Sequence, residues 1–286
     1  MKHMKKRQYH LYKNGHHPSD EYYTKYEEVE HIINNILIKS DLKNKIIYCP
    51  ADGEESNFVK YFKDHKDDLQ YKELIYTSDD MFTHEDLFQY ADYIITNPPF
   101  SVIKHQLLPL LKRLECKFFL FGSKLNAHYY LNIFSPNECK YINRGTYNFI
   151  TPYINEQTGT NEVFVGGTMY LTNMNINENY VEANPHKNVF SKTIDEIPQV
   201  YSLDGDGYLI IDKMHNYPKD YYEPVWATIT CFFYKHAKYL EFVDIRDAKG
   251  NYKCWIANPS DGKNRYLRWL VRRKPIMANA GEVTNS

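Results

Sequence analysis

The chain has 286 residues, 43 % of them apolar, with 35 Lys and Arg against 36 Asp and Glu. That apolar content supports one large folded unit or two modest ones and excludes a chain disordered throughout. The near-neutral charge lacks the basic excess expected of a nucleic-acid binder. Helical spacing of Val29, Ile32, Ile33, Ile36 and Leu37 predicts a first helix over about residues 19–39. Residues 45–50 form a short apolar run ended by Pro50, which reads as a buried strand. A helix over 55–69 follows, burying Phe58, Val59 and Phe62. Next come a strand over 73–78, a short helix over 85–91 and a strand over 93–96 that runs into a rigid turn. Ile103, Leu107, Leu110, Leu111 and Leu114 mark another helix, kinked or interrupted at Pro109, and residues 117–122 a fourth buried strand.

Strand and helix alternating with short links predict an α/β fold: a doubly wound, mostly parallel, Rossmann-like sheet. Ligands of such sheets bind at the carboxyl ends of the strands. After residue 145 the pattern turns to short β-rich runs (163–172, 208–212, 226–234, 239–243) separated by Asn, Pro and Gly. The expected division is 1–172 as one domain and 173–286 as a second, β- and loop-rich region. No apolar run reaches membrane-spanning length, and the basic start lacks the apolar stretch of a secretory leader. The five cysteines stand no closer than 23 residues apart, which excludes CxxC sites and suits buried thiols in a reducing cytoplasm.

The most informative segment is Asn97-Pro98-Pro99-Phe100 at the end of the third strand. Two prolines remove two backbone donors and fix φ, which leaves carbonyls outside the usual ladders. With the Asn97 amide oxygen they set acceptors on a stiff platform suited to an exocyclic NH₂ group. Phe100 offers a face on which a planar base can stack, worth roughly 1–3 kcal/mol. The alternative is a proline-terminated strand in an ordinary turn.

This tetrapeptide after an apolar strand resembles the catalytic motif of S-adenosylmethionine-dependent amino-methyltransferases. More narrowly, the chain resembles the EcoRI-type adenine-specific DNA methyltransferases. The similarity is carried by Asp20-Glu-Tyr-Tyr-Thr-Lys-Tyr26, Tyr48-Cys-Pro-Ala-Asp52 with Ser56-Asn-Phe-Val-Lys-Tyr-Phe62, and Ala91 to Ser101. It continues through Gly122 to Ala127, Tyr170 to Asn173 and Tyr266 to Lys274. The resemblance implies S-adenosyl-L-methionine as cofactor and a flipped adenine in double-stranded DNA as target. It also implies target recognition mostly in the second region. Carried over residue by residue, Tyr22, Tyr23 and Thr24 close over the cofactor's methionine end, and Asp52 lies near its amino-acid moiety. Asp79 or Asp80 bonds the ribose or adenine. Asn97, Pro98, Pro99 and Phe100 are the catalytic set.

Ser123, Lys124 and Asn126, after the fourth strand, are expected to line the target-base pocket. Arg265, Arg268, Arg272, Arg273 and Lys274 are expected to engage phosphates, with a solvated strand face as the alternative. Only Gly53 follows Asp52, so the Gly-x-Gly of dinucleotide enzymes is missing, and an oxidoreductase is disfavoured. No metal site is expected: apart from His16–His17 no two histidines lie within five positions. Asp204-Gly-Asp-Gly207 lacks the later ligands of a calcium loop and reads as a turn. Tyr129, Tyr130, Tyr221 and Tyr222 read as half-buried structural tyrosines rather than DNA contacts. A cytoplasmic monomer without membrane attachment is expected, and a cognate restriction endonuclease is left open. The competing readings are an RNA or protein-glutamine methyltransferase and a DNA-binding regulatory module that no longer catalyses.

Overall fold

A computed structural model of the chain describes residues 22–151, 154, 159–180, 192–196, 201–203, 207–211, 216–228, 231, 234–237, 239–244 and 268–274. The chain divides into two compact units. One comprises Met1–Asn126 with Arg144–Tyr180, the other Ala127–Asn143 with Val181–Ser286.

The first unit is built on a six-stranded sheet whose strands, in chain order, are β1 (Ile46–Pro50), β2 (Glu73–Thr77), β3 (Tyr93–Thr96), β4 (Lys117–Ser123), β5 (Lys140–Ile150) and β6 (Glu162–Thr172). Their spatial order is β2-β1-β3-β4-β6-β5. β1 runs parallel to β2 and β3, β3 parallel to β4, and β6 antiparallel to β4. All five residues of β1 and Phe118–Phe121 of β4 are buried, as expected for parallel strands covered on both faces. The chain moves outward from β1 to β2, then returns across β1 to β3. The order therefore reverses between β1 and β3, the switch point where open α/β sheets place their ligands. The α/β, mostly parallel sheet anticipated from the alternation is present.

The leading helix is shorter than its apolar spacing suggests. It occupies Tyr26–His31 and continues as a π-helical turn, Ile32–Ile36, closed by the Leu37 N–H on the Ile32 carbonyl at 2.9 Å. Val29, Ile32, Ile33 and Ile36 are wholly buried. Residues 22–25 are extended instead, because Tyr23 pairs with Ile150 as an antiparallel bridge. The expected residues 19–21 lie outside the described residues. The helix after the Asn-Pro-Pro-Phe turn runs as Phe100–Val102, a π turn Ile103–Leu107, then Leu108–Arg113. Pro109 cannot donate to the preceding turn, so the irregularity falls in the wider turn just before it.

Sequence spacing missed the helix Ala127–Ile133 and the strand β5. In β5 the period-two pattern is interrupted by Arg144 and by Gly145, whose φ of +86° bends the strand.

The second unit carries a five-stranded sheet of β7 (Tyr201–Leu203), β8 (Leu209–Ile211), β9 (Val225–Thr228), β10 (Leu240–Asp244) and β11 (Arg268–Arg273), ordered β10-β11-β9-β8-β7. Ile210, Trp226 and Leu270 form its core, with Tyr208 against them. Of the apolar run expected as one strand over 226–234, residues 226–228 are strand and Tyr234 begins a helix, Tyr234–Ala237, while 229–230 and 232–233 lie outside the described residues. Asp204 and Asp206 lie outside the described residues. Among the described residues, no helix is long and apolar enough to cross a membrane.

Candidate active site

The site grows from the ends of β1 and β3. β1 stops at Pro50, and Ala51 takes the left-handed conformation (φ +63°), uncommon for a residue with a side chain. Asp52 follows and is 6 % exposed. The Ser56 hydroxyl donates to its Oδ1 at 2.5 Å and accepts from the Phe58 N–H, capping the helix Asn57–Asp64. Oδ2 lies 2.6 Å from the Thr96 hydroxyl at the end of β3, which is also 2.5 Å from the Pro50 carbonyl. Asp52 and Thr96 thus stitch the two strand ends together at the switch point. Burial pushes the Asp52 carboxyl up to about 6, against the opposing pull of the Ser56 and Thr96 hydroxyls.

An open cleft of about 560 Å³ lies at the ends of β1 and β2, lined by Gly53, Glu54, Tyr76, Ser78, Asp79 and His84 among others. A Cβ at Gly53 would come 3.2 Å from the Ser78 Cβ, so a larger residue there needs the Ser78 side to give by a few tenths of an ångström. The two aspartates after β2 differ. Asp80 caps the short turn Met81–Thr83 by accepting from the Phe82 N–H at 3.1 Å. Asp79 lines the cleft and meets His84 Nε2 at 2.8 Å, a hydrogen bond that holds its carboxyl below the usual carboxylate range.

Asn97 follows Thr96. Its Nδ2 donates to the Tyr22 carbonyl at 2.6 Å, which fixes the amide's orientation because that partner can only accept. Its Oδ1 is buried and has no hydrogen-bond partner among the described residues. Pro99 leads into the short helix that begins at Phe100, whose ring is half-buried, 5.6 Å from Tyr22 and 6.3 Å from Phe149.

The extended segment 22–25 is tied down at every step. Besides the Tyr22 carbonyl on Asn97, Tyr23 exchanges two backbone bonds with Ile150 (2.8 and 3.0 Å). The Thr24 carbonyl accepts from Asn57 at 2.7 Å, and the Lys25 N–H donates to the Tyr147 hydroxyl at 3.0 Å. Thr24 Oγ1 is a second buried oxygen without a partner among the described residues. A cluster that sequence reasoning missed supports this segment. Arg144 makes a bidentate pair with buried Glu28 (2.5 and 2.7 Å), and the Tyr170 hydroxyl donates to the same carboxylate. Arg144 lies in the strand whose pattern was hidden, so no spacing signal pointed to it.

The structure therefore gathers Tyr22, Thr24, Asp52, Asn97 and Phe100 around one switch point, with Asp79 at the adjoining cleft. Ser123 ends β4 and its hydroxyl accepts from the Leu125 N–H at 3.3 Å, while Lys124–Asn126 form a single 3-10 turn. One expected phosphate contact is corrected. Arg268 is fully buried in the second unit, and its guanidinium donates to the Ile211 carbonyl, so it is turned into the fold rather than toward solvent. Arg272 is exposed and pairs with Glu241 at 2.7 Å. Arg273 donates to the Lys219 carbonyl and lies 5.2 Å over the Tyr222 ring, and Lys274 is exposed. Arg265 lies outside the described residues. Tyr130 is fully buried, whereas Tyr129 and Tyr222 are exposed.

The chain is similar to several known proteins. A family described as "Adenine-specific methyltransferase EcoRI" matches residues 10–86. The type II methyltransferase M.EcoRI of Escherichia coli is 24 % identical over 319 residues, spanning 90 % of this chain and 94 % of that protein. The type II methyltransferase M.MgeORF184P of Mycoplasma genitalium is 25 % identical over 260 residues, spanning 80 % and 71 %. Among solved structures, a putative RNA methyltransferase, PH1948 from Pyrococcus horikoshii, has 14 % identity and a TM-score of 0.36 over 59 % of this chain and 94 % of that one. The fold class rests on the strand order above rather than on that likeness. A parallel sheet with its polar site at the switch point, and relatives of this kind, are those of a methyltransferase. In sequence the chain is similar to the EcoRI-type adenine-specific methyltransferases.

Proposed function

We propose that the protein transfers a methyl group from S-adenosylmethionine to the exocyclic amine of an adenine in double-stranded DNA. The observation that carries this reading is the buried Oδ1 of Asn97, without a partner among the described residues and held in place by the amide's other end on the Tyr22 carbonyl. A buried acceptor left unpaired costs roughly 1–3 kcal/mol, so it fits a donor brought by the substrate.

The residues present suit the cofactor. Asp52 is a buried acid with no ion-pair partner among the described residues, suited to the ammonium of the amino-acid end. The Thr24 hydroxyl, buried and without a partner among the described residues, belongs to the segment that covers that end. Of the two aspartates, Asp79 in the cleft is assigned to the ribose hydroxyls, since Asp80 is engaged as a cap. When bound, the cofactor supplies an electrophilic methyl group on a sulfonium.

The chain's part is placement. Extruding the base from the duplex costs about a few kcal/mol. The Asn97 Oδ1 and the Pro98 carbonyl accept hydrogen bonds from the amine, which turns its lone pair toward the methyl group and stabilises the positive charge that develops. Phe100 stacks on the base, and Ser123, Lys124 and Asn126 line its approach. Arg265, Arg272, Arg273 and Lys274 serve the phosphates. Such an activity belongs with DNA in the bacterial cytoplasm, where a cognate endonuclease would be its counterpart. Transfer of tritiated methyl groups to DNA, RNA and protein, measured side by side, tests the reading: label is expected in DNA alone, as N6-methyladenine.

A further inference from the structure

The contacts around Thr96 contain a counting problem. Its hydroxyl has one hydrogen, yet Oγ1 lies within hydrogen-bond distance of two atoms, the Pro50 carbonyl at 2.5 Å and Asp52 Oδ2 at 2.6 Å. A carbonyl can only accept, and an ionised carboxylate can only accept. With Asp52 ionised, one of these short oxygen–oxygen contacts would have no proton in it. With Asp52 protonated on Oδ2 the chain closes: the acid donates to Thr96, and Thr96 donates to Pro50. Ser56 already donates to Oδ1, so the second proton position has to be Oδ2.

We propose that at mildly acidic pH Asp52 is a neutral acid in the ligand-free protein, with Thr96 accepting its proton, and that binding of the cationic adenosyl cofactor drives that proton off to solvent. This rests on the cofactor reading above and adds Thr96 to it as a positioning residue. On binding, the Oδ2–H bond breaks and the proton passes to the buffer. The carboxylate pairs with the ligand's ammonium, and the Thr96 hydroxyl turns from the Pro50 carbonyl to donate to Oδ2. The surroundings agree. No lysine, arginine or histidine pairs with Asp52 among the described residues, and Cys49, buried in the strand that precedes it, has its thiol pushed up by burial and by Asp52 itself. Burial likewise raises the Asp52 carboxyl toward neutrality.

Isothermal titration of S-adenosylmethionine into the full chain, in pairs of buffers with different ionisation enthalpies, counts the proton directly. The expected release is close to one proton per cofactor at pH 5, falling toward none at pH 8. The cofactor's Kd should tighten about tenfold per pH unit below about pH 6 and level off above pH 7. Asp52→Asn should bind more weakly and release no proton at any pH. Thr96→Val should move the break in affinity upward, because losing the hydroxyl costs the charged acid more than the neutral one. Binding at pH 5 without proton release, or release that survives in Asp52→Asn, overturns the proposal and leaves the cofactor reading standing. No binding in any buffer removes the cofactor reading itself.

Discussion

Asp52 sets the terms at the scale of single residues. Its carboxyl stands at about 6 in the folded protein against an ordinary 3.8, so the folded state holds its proton more tightly than the unfolded chain does. For a raised acid the sign is the reverse of the usual carboxylate: ligand-free stability falls as pH rises from about 4 to about 6, then stays level. Asparagine reproduces the neutral acid, with an amide hydrogen for Thr96 and an oxygen for Ser56. Asp52→Asn is therefore expected to raise ligand-free stability at pH 7 by on the order of 2–3 kcal/mol, without the decline between pH 4 and 6. Urea unfolding of both proteins across that range checks it. An unchanged or lowered midpoint at pH 7 would mean that the folded protein holds the Asp52 proton no more tightly than the unfolded chain does. The same residue scale accounts for much of the large tyrosine content, 27 in all. Tyr71 and Tyr141 are buried with their hydroxyls on the Phe62 and Phe134 carbonyls, and Tyr48 meets Thr77 at 2.8 Å. These rings fill the interior while their polar ends are satisfied.

At the scale of elements, the extended segment 22–25 joins the leading helix to the site, and the helix is held by Glu28. Removing the charge at Glu28 strands the half-buried guanidinium of Arg144 beneath it. Glu28→Gln is expected to cost about 3 kcal/mol of stability, seen as a lower urea midpoint at unchanged slope. A loss under 1 kcal/mol would mean that the pair is solvated. Much of the first unit was legible from the sequence, because buried parallel strands leave unbroken apolar runs, as at 46–50 and 118–121. The Asn97 turn was legible because two prolines have few uses. The extended form of 22–25 was not, since its pairing partner, Ile150, is distant in sequence and lies in a strand whose alternation Arg144 and Gly145 conceal. Nor could sequence choose between Asp79 and Asp80, a choice that depends on which side chain folds back as a cap.

Over the whole molecule, near-neutral charge hides two poles. Residues 50–92 hold twelve acidic and four basic side chains, whereas 249–274 hold eight basic and one acidic. The acidic stretch contains the cleft assigned to a cationic cofactor. On the proposed reading the basic stretch meets phosphates, so DNA affinity should fall steeply with salt, and Arg273→Ala or Lys274→Ala should each lower the log–log slope by about one. Arg268→Ala should instead lower the melting temperature and leave that slope unchanged, because its guanidinium is spent inside the sheet. Equal slopes for all three variants and the parent would remove this stretch from the interface.

The central claim is that Asn97 receives the amine that is methylated. Its most direct test is single-turnover transfer of tritiated methyl from S-adenosylmethionine to duplex DNA by the parent and by Asn97→Ala, with cofactor affinity measured alongside. The account predicts a 10²–10³-fold slower transfer in the variant, about the loss of one positioned hydrogen-bond partner, with cofactor Kd changed by only a few-fold. Transfer at near-parental rate by a variant that binds cofactor normally would contradict it.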